Sequence, residues 1–134
     1  MKSKRKRVLI IVIMALAVIA VGANRLMARL ETDLKALESK PIAHIDLGTL
    51  EDGVYAGSFS LFPVSAQVDV TVKSHVITDI KLVKHTSGQG GAAEAIPGMV
   101  LEAQSLAVDS VSGATYSSRV ILMAIENALL SPKR

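Results

Sequence analysis

Ten residues near the C-terminus, Asp109-Ser-Val-Ser112-Gly113-Ala114-Thr115-Tyr-Ser117-Ser118, contain four Ser, one Thr, one Gly and one Ala. Such a segment is slim and rich in hydroxyls, so it can enter the cleft of another enzyme. Val120, Ile121, Ala124, Ile125, Ala128 and Leu129 follow at helical spacing and predict a helix from about Tyr116 to Leu130. The hydroxyls therefore stand where backbone N–H groups converge at a helix N-terminus, a place that favours phosphate. The chemistry indicated is the holding of a phosphorylated ligand. A threonine hydroxyl is a weak nucleophile at neutral pH and needs an activating base, which a modifying enzyme can bring. Asp, Ser and Thr before a helix are also ordinary caps and Gly-Ala ordinary turn material, so a purely structural reading stands beside the chemical one.

Other candidates are fewer. His85 follows an apolar stretch and opens the loop His85-Thr-Ser-Gly-Gln-Gly-Gly91, where it can face a ligand or serve as a surface histidine. The glycines of that loop lack the strand–turn–helix setting and downstream acid of a dinucleotide fingerprint. His44 and His75 fall in a linker and a turn and read as solvated; Lys73, Lys81 and Lys84 read as solvated strand-face residues, with attraction of an acidic partner as the alternative. With no cysteine, disulfides, thiolate metal sites, iron–sulfur clusters and c-type haem attachment are excluded. No catalytic triad or metal-ligand cluster is visible. The net charge of +3 owes everything to Lys2, Lys4, Arg5, Lys6 and Arg7; without those five cations the rest carries −2. With two Phe, two Tyr and no Trp, nucleic acid is an unsupported partner.

The elements that must position these residues are legible in outline. Glu51-Asp52-Gly53 is a turn signal, after which Val54–Phe59 reads as a strand. Val64, Ala66, Val68, Val70 and Val72 then alternate with polar residues, the signature of a half-buried strand. Lys73-Ser-His75 makes a turn and Val76–Val83 supplies a third strand. Pro97 opens a short helix through about Gln104. The fold class expected is α+β, a small antiparallel sheet covered by helices.

Before this domain, Val8–Ala23 is an uncharged apolar run of about 16 residues, near the lower limit of about 17 for crossing a bilayer, and Leu26 and Met27 extend it if Arg25 snorkels. It accounts for much of the mean hydropathy of +0.42. The preceding cations predict a cytoplasmic N-terminus and an extracytoplasmic domain on a single-pass anchor in the cell membrane. Val21-Gly-Ala23 offers the alternative of a cleaved signal peptide. Leu26, Leu30, Leu34 and Leu37 share a stripe that suits a stalk packing on its own domain or a docking face for a partner helix. Lys40-Pro41 ends the helix. The division predicted is 1–39 for the basic N-terminus, transmembrane and juxtamembrane helix, 40–51 for a linker, and 52–134 for the outer domain.

Over about residues 52 to 130 the chain resembles the FMN-binding domain of bacterial flavoproteins, whose flavinylation pattern is Asp-x-x-Ser/Thr-Gly-Ala-Ser/Thr. Asp109, Ser112, Gly113, Ala114 and Thr115 match every fixed position, and the hairpin strands, His85 and Gln104-Ser105 fit the context. The resemblance implies that a flavin transferase moves FMN from FAD onto Thr115, as in subunits of Rnf and sodium-pumping NADH:quinone reductase complexes. It implies cofactor contacts from Thr115, Ser112, Gly113, Ala114, Asp109, Ser117, Ser118 and His85. It further implies an electron carrier whose partners are membrane redox proteins, such as a quinone reductase, another flavoprotein or a cytochrome. The alternatives are an accessory flavin subunit of a larger membrane reductase and a non-redox sensor or interaction module. The family often places an acidic residue soon after this histidine; Thr86-Ser87-Gly88-Gln89 follows here, a departure that counts against a proton-transfer role for the loop.

Overall fold

A computed structural model describes residues 2–132, with the side chains of Lys2 and Ser3 excepted; Met1, Lys133 and Arg134, the outermost residues of the first and last predicted segments, lie outside the described residues. The chain forms two compact units that divide between Lys35 and Ala36. Helix α1 (Lys2–Ser39) is unbroken because no proline or strong helix breaker interrupts it before Pro41. At about 1.5 Å per residue it is long enough to cross a bilayer. Its side chains from Val8 to Val21 are exposed, an arrangement that water would penalise and hydrocarbon would not. It is the one helix among the described residues with the length and composition of a membrane span, and a signal sequence has the same character.

The second unit holds a three-stranded antiparallel sheet in the order β1 (Gly53–Leu61), β2 (Val64–Lys73), β3 (Val76–Thr86). A short helix α2 (Ile96–Ala103) and the long α3 (Thr115–Leu130) follow, so the fold is α+β as expected. Alternation along β2 buries Val64, Ala66, Val68, Val70 and Val72 on the helix-covered face. Lys73, Lys81 and Lys84 are exposed. The β2–β3 connection, Lys73-Ser74-His75-Val76, has φ of +52° and +63° at its two central residues, the type I′ pattern that matches strand twist. Neither residue is glycine. The Ser74 N–H donates to Asp52 Oδ1 at 2.7 Å and the His75 ring lies 3.1 Å from Leu50 O, contacts that help hold a turn its sequence does not favour.

Strand β3 runs three residues further than its sequence pattern suggests and carries two register shifts against β2. Thr78 and Val83 are the extra residues, so the positions on the inner face of β3 become Ile77, Ile80, Leu82 and His85 rather than a simple alternation. The second shift turns the imidazole of His85 inward, in a row with Phe59 and Ala66.

Helix α3 is buried on more than the predicted face: Leu122, Met123 and Glu126 are also covered. The cover involves residues 41–50, which pack Ile42, Ile45, Leu47 and Leu50 against the core and tie down where Ala43 N–H donates to Glu126 Oε1 at 2.8 Å. Arg119 reaches from α3 to the carbonyls of Leu37, Glu38 and Lys40, which end α1, and so supplies donors and positive charge to a helix C-terminus. Of the leucine stripe, Leu26 is exposed and Leu37 is buried in the core of this unit. Gln104, at φ +51° after α2, accepts from Ile77 N–H at 2.8 Å and donates to Ile77 O at 2.9 Å, standing in for one residue of a fourth strand.

Candidate functional site

The hydroxyl-rich segment forms a tight turn leading into α3. Ala114 N–H donates to Val111 O at 2.9 Å, and Gly113 between them has φ +77°, the left-handed third position that a type II turn requires and glycine occupies without strain. Ser118 locks this turn from the first coil of the helix: its hydroxyl accepts from Val111 N–H at 3.0 Å and donates to Ala114 O at 2.8 Å. Tyr116 anchors the same coil to the turn between β1 and β2, its hydroxyl donating to Leu61 O and Phe62 O at 3.1 Å each.

Thr115 is therefore held as the first residue of α3, half-buried, immediately after the exposed Ser112 and Gly113. Ala114 occupies the N-cap, where Ser, Thr, Asp or Asn would normally satisfy the first helical N–H groups, and no side chain caps the helix. A helix that begins without a cap has donors and positive dipole character to offer an anion. Asp109 is exposed just upstream. Ser117 is buried against Gly90, where an added Cβ would lie 2.0 Å from the Ser117 hydroxyl. That approach clamps the glycine-rich loop to the first turn of α3.

The eight predicted residues thus divide. Ser112, Gly113, Ala114 and Thr115 share the turn and helix start; Asp109 lies at its outer edge. Ser117 and Ser118 are buried behind it, and Ser118 uses its hydroxyl on the chain itself. His85 sits on the inner face of β3, at the end of the sheet where α3 begins. Its side chain is only 2% exposed, with Nδ1 3.2 Å from Glu94 Oε1 and Nε2 buried without a hydrogen-bond partner. His44 and His75 are exposed as expected.

Two contributors escape sequence reasoning. Glu94 supplies the acid that the residues directly after His85 lack; it arrives on the 3-10 turn Gly91–Ala95, which packs back against α3. Gly90 reads as one flexible residue among several, and only the close approach to Ser117 gives it a specific task. Among the described residues no group of three or more His, Asp or Glu is placed to hold a metal.

A phosphate-bearing cofactor fits these groups. The uncapped start of α3 suits the phosphate and Thr115 offers a hydroxyl there, while Nε2 of His85 is an enclosed polar atom without a protein partner at the same end of the sheet. Comparison with known proteins agrees in class: the family model described as FMN-binding domain matches residues 64–130, half of the chain. No curated protein matches the chain.

Proposed function

The chain belongs to the FMN-binding domain family, and from that premise we propose that it is a membrane-anchored electron carrier holding one FMN through a phosphoester on Thr115. The observation that carries the attachment is the setting of Thr115, half-buried at an uncapped helix start behind the Gly113 turn. A flavin transferase would use FAD as donor. The Thr115 oxygen attacks the phosphorus of the FMN moiety, the bond to the AMP phosphate breaks, AMP leaves, and the threonine proton passes to a base of the transferase. No electrons change hands in that step.

The residues of the chain then hold rather than react. Gly113 and Ser118 fix the turn, the start of α3 favours the negative diester, and Tyr116 keeps that helix end against the hairpin. FMN itself supplies the redox chemistry of its isoalloxazine, and the protein supplies tether, orientation and electrostatic setting. A domain this small leaves little core in which to enclose a ring system of that size, so exchange would proceed by close approach of membrane redox partners. The apolar stretch of α1 and the cations before it support a single-pass anchor with the domain outside the cytoplasm.

The test is expression with a flavin transferase followed by denaturing electrophoresis under ultraviolet light. Wild type and Thr115→Ser should fluoresce, and Thr115→Ala should be dark while remaining folded. A fluorescent Thr115→Ala band would assign the ester elsewhere.

A further inference from the structure

We propose that His85 is the cationic partner of the diester phosphate, with Glu94 as the positioning residue that orients its ring; the proposal rests on FMN attachment at Thr115. The diester carries one negative charge, and the segment 109–118 that surrounds its attachment point contains no Lys or Arg. The first cation after it, Arg119, is committed to the carbonyls of Leu37, Glu38 and Lys40. Lys84, next to His85 in sequence, is exposed. The start of α3 offers only dipoles. A full charge on the inner side of the sheet can come from His85.

The geometry prepares it. An imidazole this buried ordinarily satisfies both ring nitrogens. In His85, Nδ1 meets Glu94 at 3.2 Å while Nε2 is left without a partner. With the Nδ1 proton donated to the carboxylate, the ring orientation is fixed, and a second proton on Nε2 is available to an oxygen of the diester. The resulting order is carboxylate, imidazolium, phosphate, in which each negative group faces the one positive charge. The clamp of Gly90 on Ser117 brings the loop that delivers Glu94 against the first turn of α3, so the pair and the attachment point belong to one locality. Glu94 does this from a largely exposed position, its side chain 60% accessible.

The full chain in detergent, labelled with ¹⁵N only at histidine, tests this because it contains three histidines, His44, His75 and His85. Intact mass first establishes attachment. In the flavinylated chain Nε2 of His85 should be protonated and coupled through its hydrogen bond to ³¹P; in Thr115→Ala at the same pH that coupling should be absent. His85→Asn should retain the added mass and shift the ³¹P resonance. Glu94→Gln, at an exposed site where folding is not at stake, should change the ring-nitrogen pattern of His85 and shift ³¹P in the same direction, leaving His44 and His75 unmoved.

Outcomes separate the two ideas. No added mass at Thr115 overturns the attachment and this proposal with it. Added mass with a ³¹P resonance indifferent to both variants overturns only the role of His85, as does a change at Nε2 on flavinylation without coupling to phosphorus, which would place the ring nitrogen against the isoalloxazine.

Discussion

At Gly113 the backbone occupies a left-handed conformation that an L side chain enters only with strain, although the added Cβ would meet nothing within 4 Å. The cost of Gly113→Ala is therefore conformational, of order 1–3 kcal/mol, and thermal melting of the unmodified chain should show it as a lowered Tm. Because the same turn presents Thr115, the variant should also be flavinylated more slowly by the transferase. Ser118→Ala acts differently. It strands Val111 N–H in a half-buried place and should cost roughly 1–3 kcal/mol in denaturant unfolding, while Thr115 remains chemically intact. Unchanged stability in Ser118→Ala would show that water replaces the hydroxyl at Val111. Thr115 was legible as a candidate because the five fixed positions of the motif single it out among hydroxyls that could otherwise be ordinary caps. The Glu94 contact was not legible. Nine positions separate it from His85, and only the return of the 3-10 turn onto α3 brings the carboxylate to the ring.

Periodicity disclosed β2 at the level of elements because all of its inward residues are valine or alanine and all its outward neighbours polar. It failed for the inner face of β3, since bulges at Thr78 and Val83 each reset the phase, and neither residue is of a type that announces a bulge. That is why His85 looked equally suited to the surface. The contact of α3 with β1 was also hidden: Gly57 lies so close to the helix that a Cβ would fall 2.3 Å from both Ala124 O and Ala128 N. Backbone atoms on both sides cannot rotate away. Gly57→Ala should destabilise the domain by about 1–3 kcal/mol through overpacking, measured by chemical denaturation, whereas Gly88→Ala, with open space around it, should change little. Equal effects of the two substitutions would mean that α3 shifts freely on the sheet.

For the whole molecule, two truncations distinguish the anchor from the core. A chain beginning at Ala36 keeps Leu37 and the carbonyls that Arg119 holds; one beginning at Pro41 loses Leu37 burial, worth about 1.5–3 kcal/mol, and leaves Arg119 without those acceptors. The shorter chain should melt lower, and coincident melting curves would show that the end of α1 contributes no stability. In cells, protease added to intact spheroplasts should digest the domain if it lies outside the cytoplasm; protection would reverse the proposed orientation, and a soluble mature form would identify the apolar stretch as a cleaved signal. A membrane anchor would bring one further demand, which Gln104 is placed to meet. Proteins confined to a membrane surface meet one another at high local concentration, and an open β3 edge would let one copy extend its sheet with a strand of the next. The amide of Gln104 occupies the outward N–H and C=O of Ile77, so this part of the edge is already spoken for by a side chain that cannot propagate a ladder. A single carboxamide thereby acts as a chain terminator for this part of the sheet edge.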